Sequence, residues 1–94
     1  MSDSVSKIVV PVGSQIQRRV MNSILDERWK QDRKWGPNRD LANTTWLTIL
    51  IEEVGESAEE ILEQDHDALI CEVVQVAAVS VAWLERLYTA RLND

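Results

Sequence analysis

The chain has 94 residues, 45% of them hydrophobic and 28% charged. That mix excludes a disordered chain and suits one domain, not two. One cysteine, Cys71, and one histidine, His66, exclude an intrachain disulfide and a Cys/His zinc set; a net charge of −6 argues against a nucleic-acid polymer as partner.

Residues 1–13 read as an N-terminal tail, with Ile8-Val9-Val10-Pro11-Val12 a candidate extended stretch. Its apolar run is too short for a signal peptide or a membrane span, so the cytoplasm is the expected compartment. A single all-α domain is expected over 14–94. Ser14 is the expected N-cap of a first helix, in which Ile16, Val20 and Ile24, with Met21, Leu25 and Trp29, make an apolar stripe at i, i+4 spacing. Trp35-Gly36-Pro37 ends it, because glycine accepts a left-handed cap and proline cannot continue a helix.

After a polar loop to Asn43, a second helix is expected from Thr44 or Thr45 to about Glu63. Leu47, Leu50, Ile51, Val54, Ala58, Ile61 and Leu62 form its expected core stripe. Gln64-Asp65-His66 breaks the chain, with Asp65 as a cap, and a third helix runs from about Asp67 to Ala90. Between Leu69 and Leu84 that helix is apolar nearly all round, interrupted by Glu72, Gln75 and Ser80. Such a helix is buried on all sides, and two short neighbours cannot enclose it. The expected fold is therefore an all-α helical bundle completed by oligomerisation, as a homodimer or homotetramer, with no membrane role. Cys71 reads as a small buried hydrophobe.

Charge is placed unevenly. Residues 14–40 hold seven basic and four acidic side chains; residues 41–94 hold eleven acidic side chains against Arg86 and Arg91. One segment could hold phosphates and the other a metal; solvated helix faces that differ by chance explain the same pattern.

The second helix contains Glu52-Glu53-Val54-Gly55-Glu56. Glu53 and Glu56 lie about 60° apart and one turn along, so their side chains can converge. Glu52, Glu59 and Glu63 fall opposite the expected core stripe and read as solvated, whereas Glu53, Glu56 and Glu60 share a side with Trp46 and Ile49. On the third helix Glu72 and Gln75, one turn apart, interrupt an apolar segment. A buried carboxylate there needs a cation, a proton or an arginine partner from the first helix. Inward polar pairs on adjoining helices resemble the metal sites of bundle cores.

Glu52-Glu53-Val54-Gly55-Glu56, fifteen further residues, then Glu72-Val73-Val74-Gln75 resembles the EExxE…ExxD signature of the MazG-like all-α nucleoside triphosphate pyrophosphohydrolases. The segment Glu27 to Gly36, Trp46-Leu47-Thr48-Ile49-Leu50, and Gln75 to Glu85 are similar to small phage and mobile-element members, so the resemblance spans roughly residues 15–88. It implies Mg²⁺, with Mn²⁺ as a substitute, on Glu53, Glu56, Glu72 and Gln75. The implied reaction converts a nucleoside triphosphate and water to a monophosphate and pyrophosphate, a nucleotide-pool house-cleaning activity. Glu52, Glu53, Glu56 and Glu72 would be catalytic, with Glu52 or Glu56 orienting water. Lys30, Arg33, Lys34 and Arg39 are candidates for the phosphates, Trp35 and Trp46 for the base, and Gln75 for either substrate or metal. Gln75 stands where the family has aspartate, which would leave three carboxylates to neutralise the ion. The competing expectation is a non-catalytic helical homo-oligomeric or nucleotide-binding module, in which these glutamates are ordinary charged positions.

Overall fold

The computed structural model describes residues 12–92. They form three helices, α1 (Val12–Trp35), α2 (Asn43–Leu62) and α3 (His66–Leu92), and no strand occurs among them. The all-α expectation holds. Residues 1–11 of the expected tail lie outside the described residues; Val12, the end of the expected extended stretch, and Gly13 belong to α1, which starts ahead of the expected boundary.

The helix ends follow local chemistry. The chain is already helical at Val12, so Ser14 sits inside α1 and is not its cap. Gly36 ends α1 in the left-handed region at φ 86°, its N–H donating to the Asp32 carbonyl at 2.9 Å, the single-bond form of the αL cap. The cap position of α2 falls on Ala42 in extended conformation, with no side-chain hydrogen bond, rather than on Thr44 or Thr45. The Asn43 side chain serves another purpose: its Oδ1 accepts from the Trp83 Nε1–H at 2.9 Å and ties the start of α2 to α3. At the far end Gln64, at φ 58°, donates to Ile61, and Asp65 donates to Glu60. Those two bonds are the Schellman pair. Asp65 then caps α3 as expected, its Oδ1 accepting from the Ala68 N–H at 3.0 Å.

Helix α3 packs on both α1 and α2, while α1 and α2 do not pack helix to helix among the described residues. The result is a thin body of 53 × 43 × 20 Å. Its apolar core is a single cluster. Trp46 of α2, 1% exposed, sits against Val79 and Ala82 of α3, with Leu41, Ile49, Leu50 and Trp83 around it. The small Ala78 and Ala82, one turn apart on α3 and both buried, leave room for the largest side chain of α2 to approach. Size complementarity thus places the α2–α3 contact where Trp46 lies.

This corrects the expected core stripe, of which Leu50 packs against the cluster and the others do not. Leu47, Ile51, Val54 and Ile61 are exposed, between 46% and 61%, and the row of apolar residues on α2 looks outward. The side carrying Trp46, Ile49, Glu53 and Glu60 is the one turned to α3. Counting apolar residues favoured the wider stripe; the one indole decides the packing. The expected stripe of α1 is also open: Ile16, Val20, Met21, Leu25 and Trp29 are exposed and Ile24 is half-buried. Within this chain α3 buries only Ala78, Val79 and Ala82 and exposes Ile70, Val73, Leu84 and Leu87. It is long and apolar enough, by length and composition, to cross a membrane. Cys71 is exposed, against the expectation of burial, at an open groove between α3 and α1.

The α1–α3 contact includes a buried polar network. Arg28 and Gln31 are 5% and 4% exposed. The Arg28 guanidinium donates to both carboxylate oxygens of Glu85, to Asp32 Oδ1 at 2.9 Å and to Gln31 Oε1 at 3.0 Å. A guanidinium removed from water needs such a set of acceptors. The arginine partner imagined for Glu72 therefore belongs to Glu85.

Candidate functional site

Glu53 and Glu56 project from successive turns of α2, and Glu72 meets them from α3. Glu53 and Glu72 are half-buried and Glu56 is exposed. One carboxylate oxygen from each of the three lies within 4.8 Å of the others. Two features create the meeting. The i, i+3 spacing stacks Glu53 and Glu56 on one helix edge, and the Trp46 contact with Val79 and Ala82 turns that edge toward α3. Glu53 follows Trp46 by seven residues, two turns along the same face, and Glu72 precedes Val79 by the same interval. The antiparallel helices thus bring the two glutamates to one level.

Three carboxylates at this spacing cannot all stay charged without compensation. Two unit charges 4 Å apart repel by about 4 kcal/mol at an effective dielectric constant of about 20. The Glu53 carboxyl is pushed up to about 7, first by burial and then by Glu56 and Glu72. Glu72 is also raised, by burial first and then chiefly by the Glu56 charge. Glu60, a turn beyond Glu56, is raised by partial desolvation and by Glu63, Asp65 and Glu72. The site therefore holds a proton near neutrality or takes a cation in its place. Three hard oxygen donors from two helices are a donor set that could hold a divalent cation.

The other expected site residues are dispersed. Glu52 is exposed and stands outside the cluster. Gln75 is turned to α1: its Oε1 accepts from Gln31 Nε2 at 3.5 Å. Lys30 and Gln75 line a groove of about 320 Å³ between α1 and α3, together with Asp26, Glu27 and Cys71. Arg33 is exposed. Lys34 and Arg39 both lie over the exposed Trp35 ring, at 4.7 and 4.8 Å from its centroid, within cation–π range. Arg39 also lies 5.1 Å from the Trp46 ring centroid. Trp46 is a core residue and offers no open face to a base, which corrects its place among the substrate contacts. Trp35 is half exposed, with both Lys34 and Arg39 over its ring.

Sequence reasoning missed Arg28, Gln31 and Glu85 as an interhelical network. Arg28 and Gln31 continue the i, i+4 series of Ile16, Val20 and Ile24, which line a groove with Leu69, Ile70 and Val73 of α3, so the spacing carried the face; what it did not show is that its polar end is buried.

Protein-family models, curated proteins and solved structures were each compared with the chain, and none matches it.

Proposed function

We propose that this chain is a Mg²⁺-dependent nucleoside triphosphate pyrophosphohydrolase, converting a (d)NTP and water to a (d)NMP and pyrophosphate. One observation carries the reading: the convergence of Glu53, Glu56 and Glu72 to within 4.8 Å across two helices. The resemblance of Glu52–Glu56 and Glu72–Gln75 to the MazG-like signature supports it. Glu53, Glu56 and Glu72 would hold the ion. Bound there, it supplies positive charge to offset that of the triphosphate. Glu52 stands outside the carboxylate cluster and Glu56 belongs to it, so Glu56 is the better candidate to orient the attacking water. Lys34 and Arg39, already gathered on Trp35, are the best-placed cations for phosphate oxygens, with Lys30 and Arg33 farther back on α1. Trp35 would stack on a base once Lys34 or Arg39 leaves its ring for the phosphates. The chain would act as a cytoplasmic homodimer or homotetramer, its exposed apolar faces covered by other copies.

The test is a panel of NTPs and dNTPs with Mg²⁺, with products resolved chromatographically. Monophosphate plus pyrophosphate is expected, lost in Glu53→Gln and Glu72→Gln while helix content is kept. Diphosphate plus orthophosphate would contradict the reading.

The outward apolar row Leu47, Ile51, Val54 and Ile61 favours a second reading, a non-catalytic homo-oligomeric module whose glutamates are dispensable. Unchanged assembly in the glutamate variants, together with no turnover by the wild type, would favour it.

A further inference from the structure

Arg28, Gln31 and Gln75 form a chain of directional hydrogen bonds whose polarity is fixed at one end. A guanidinium has donors only. Gln31 must therefore present Oε1 to Arg28, as its 3.0 Å bond shows; the opposite orientation sets donor against donor. Gln31 is 4% exposed, so its amide cannot turn to water instead. Its Nε2 is left facing Gln75, to which it donates at 3.5 Å. Gln75 in turn commits Oε1 to Gln31, and its NH₂ group becomes the outward end. Among the described residues that NH₂ donates to no protein acceptor. It lies beside the α1–α3 groove, which Lys30 lines together with the carboxylates Asp26 and Glu27, one turn along α3 from Glu72.

We infer that Gln75 is a neutral hydrogen-bond donor to an acceptor oxygen of the substrate, set in that orientation by Arg28 through Gln31, and is not a metal ligand. The inference rests on the proposed nucleotide chemistry and deepens it: the cation is left to Glu53, Glu56 and Glu72, and the fourth polar position reads the ligand. Arg28 and Gln31 are positioning residues, acting through Gln75.

Three binding measurements on the full chain test this. Mn²⁺ affinity is followed by electron paramagnetic resonance. Affinities for inorganic tripolyphosphate and for α,β-methylene-dATP are measured calorimetrically with Mg²⁺ present. Gln75→Leu is expected to keep Mn²⁺ affinity within about twofold and to weaken ligand binding about tenfold, the size of one hydrogen bond to a charged acceptor. Weakening of both ligands makes the acceptor a phosphate oxygen; weakening of the nucleotide alone makes it a base or sugar oxygen. Gln31→Glu keeps the Arg28 contact but accepts where Gln31 donated, so it reverses the Gln75 amide. It is expected to weaken the same ligand about as much, and its amide-reversal effect should vanish in the Gln75→Leu background. Where Gln75→Leu does not fold, Gln75→Met takes its place, since it keeps the length of the side chain, adds no charge and loses the outward donor. A tenfold loss of Mn²⁺ affinity in folded Gln75→Leu would overturn the inference, as would unchanged affinity for both ligands. A wild type that binds neither Mn²⁺ nor ligand would instead overturn the reading of the carboxylate cluster, and this inference with it.

Discussion

A carboxylate oxygen of Glu72 on α3 lies within 4.8 Å of one on Glu53 of α2, with Glu56 completing the group. The contact is a by-product of packing, since it lies two turns from the Trp46–Val79 contact that joins the same helices. The like charges that gather there are the part of the molecule most in need of a counter-ion, and the first prediction concerns how they titrate.

The Glu53 carboxyl titrates near 7 in the folded chain and near the ordinary 4.3 when unfolded. Between those values the folded chain holds a proton that the unfolded chain has lost. Without metal, stability should therefore fall as pH rises from about 4.5 to about 7 and level off above. A divalent ion competes with that proton. Mn²⁺ affinity should rise with pH by up to about tenfold per unit below 7, and the Mg²⁺-induced gain in Tm should be larger at pH 8 than at pH 5.5. Thermal scans at both pH values check the sign. A metal effect that is the same at both would exclude Glu53 as the titrating ligand.

Trp46 fills the only apolar cluster of buried residues among those described, so its loss should be severe. Trp46→Ala is expected to cost about 3–5 kcal/mol, enough to unfold much of a domain this small. Its Nε1–H is buried without a partner, a penalty that Phe does not carry. Trp46→Phe should therefore retain most of the stability in urea denaturation. Equal losses for Phe and Ala would contradict the core assignment.

Arg28 joins α1 to α3 through Glu85 and to its own helix through Asp32 and Gln31. Arg28→Ala strands the buried Gln31 amide, whereas Glu85, about half exposed, recovers water. The expected cost is about 2 kcal/mol, below that of a fully buried pair. Circular dichroism during urea titration reads it; a cost under about 0.5 kcal/mol would mean that α1 is held by its apolar contacts alone.

Leu47, Ile51, Val54 and Ile61 follow one another at intervals of four, three and seven residues on the outward side of α2, the spacing of a helix–helix seam. Placing charge there, as in Ile51→Glu with Ile61→Glu, should lower the assembled mass in sedimentation equilibrium and leave the α2–α3 carboxylate cluster intact. A wild-type chain that sediments as a monomer at micromolar concentration would rule out the oligomeric expectation.

The three helices, one stop and one start were legible in the sequence because they rest on local chemistry: Gly36 before Pro37, and Asp65 ahead of an apolar run. The convergence of Glu53, Glu56 and Glu72 was legible from i, i+3 spacing within α2 and from the isolation of Glu72 on an apolar helix. What the pattern did not carry was which face of α2 meets α3, and that α1 buries a polar end. On α2 the broader apolar row lost to a face with one large indole, because Ala78 and Ala82 on α3 leave the space that Trp46 needs. On α1 the apolar series Ile16, Val20, Ile24, which lies along α3, runs on into Arg28 and Gln31, while Leu25 and Trp29 lie outward. That the polar end of this face is buried depends on Glu85 far along the chain, and the Gln31 amide there draws Gln75 toward α1, a direction its position one turn after Glu72 does not suggest.

Crystals soaked in Mn²⁺ and measured at the manganese absorption edge would locate the ion without reference to any activity. A single anomalous peak about 2.2 Å from oxygens of Glu53, Glu56 and Glu72 is expected. A map with no peak among those three carboxylates, at a pH above 7 and millimolar Mn²⁺, would contradict the metal site and the hydrolase built on it.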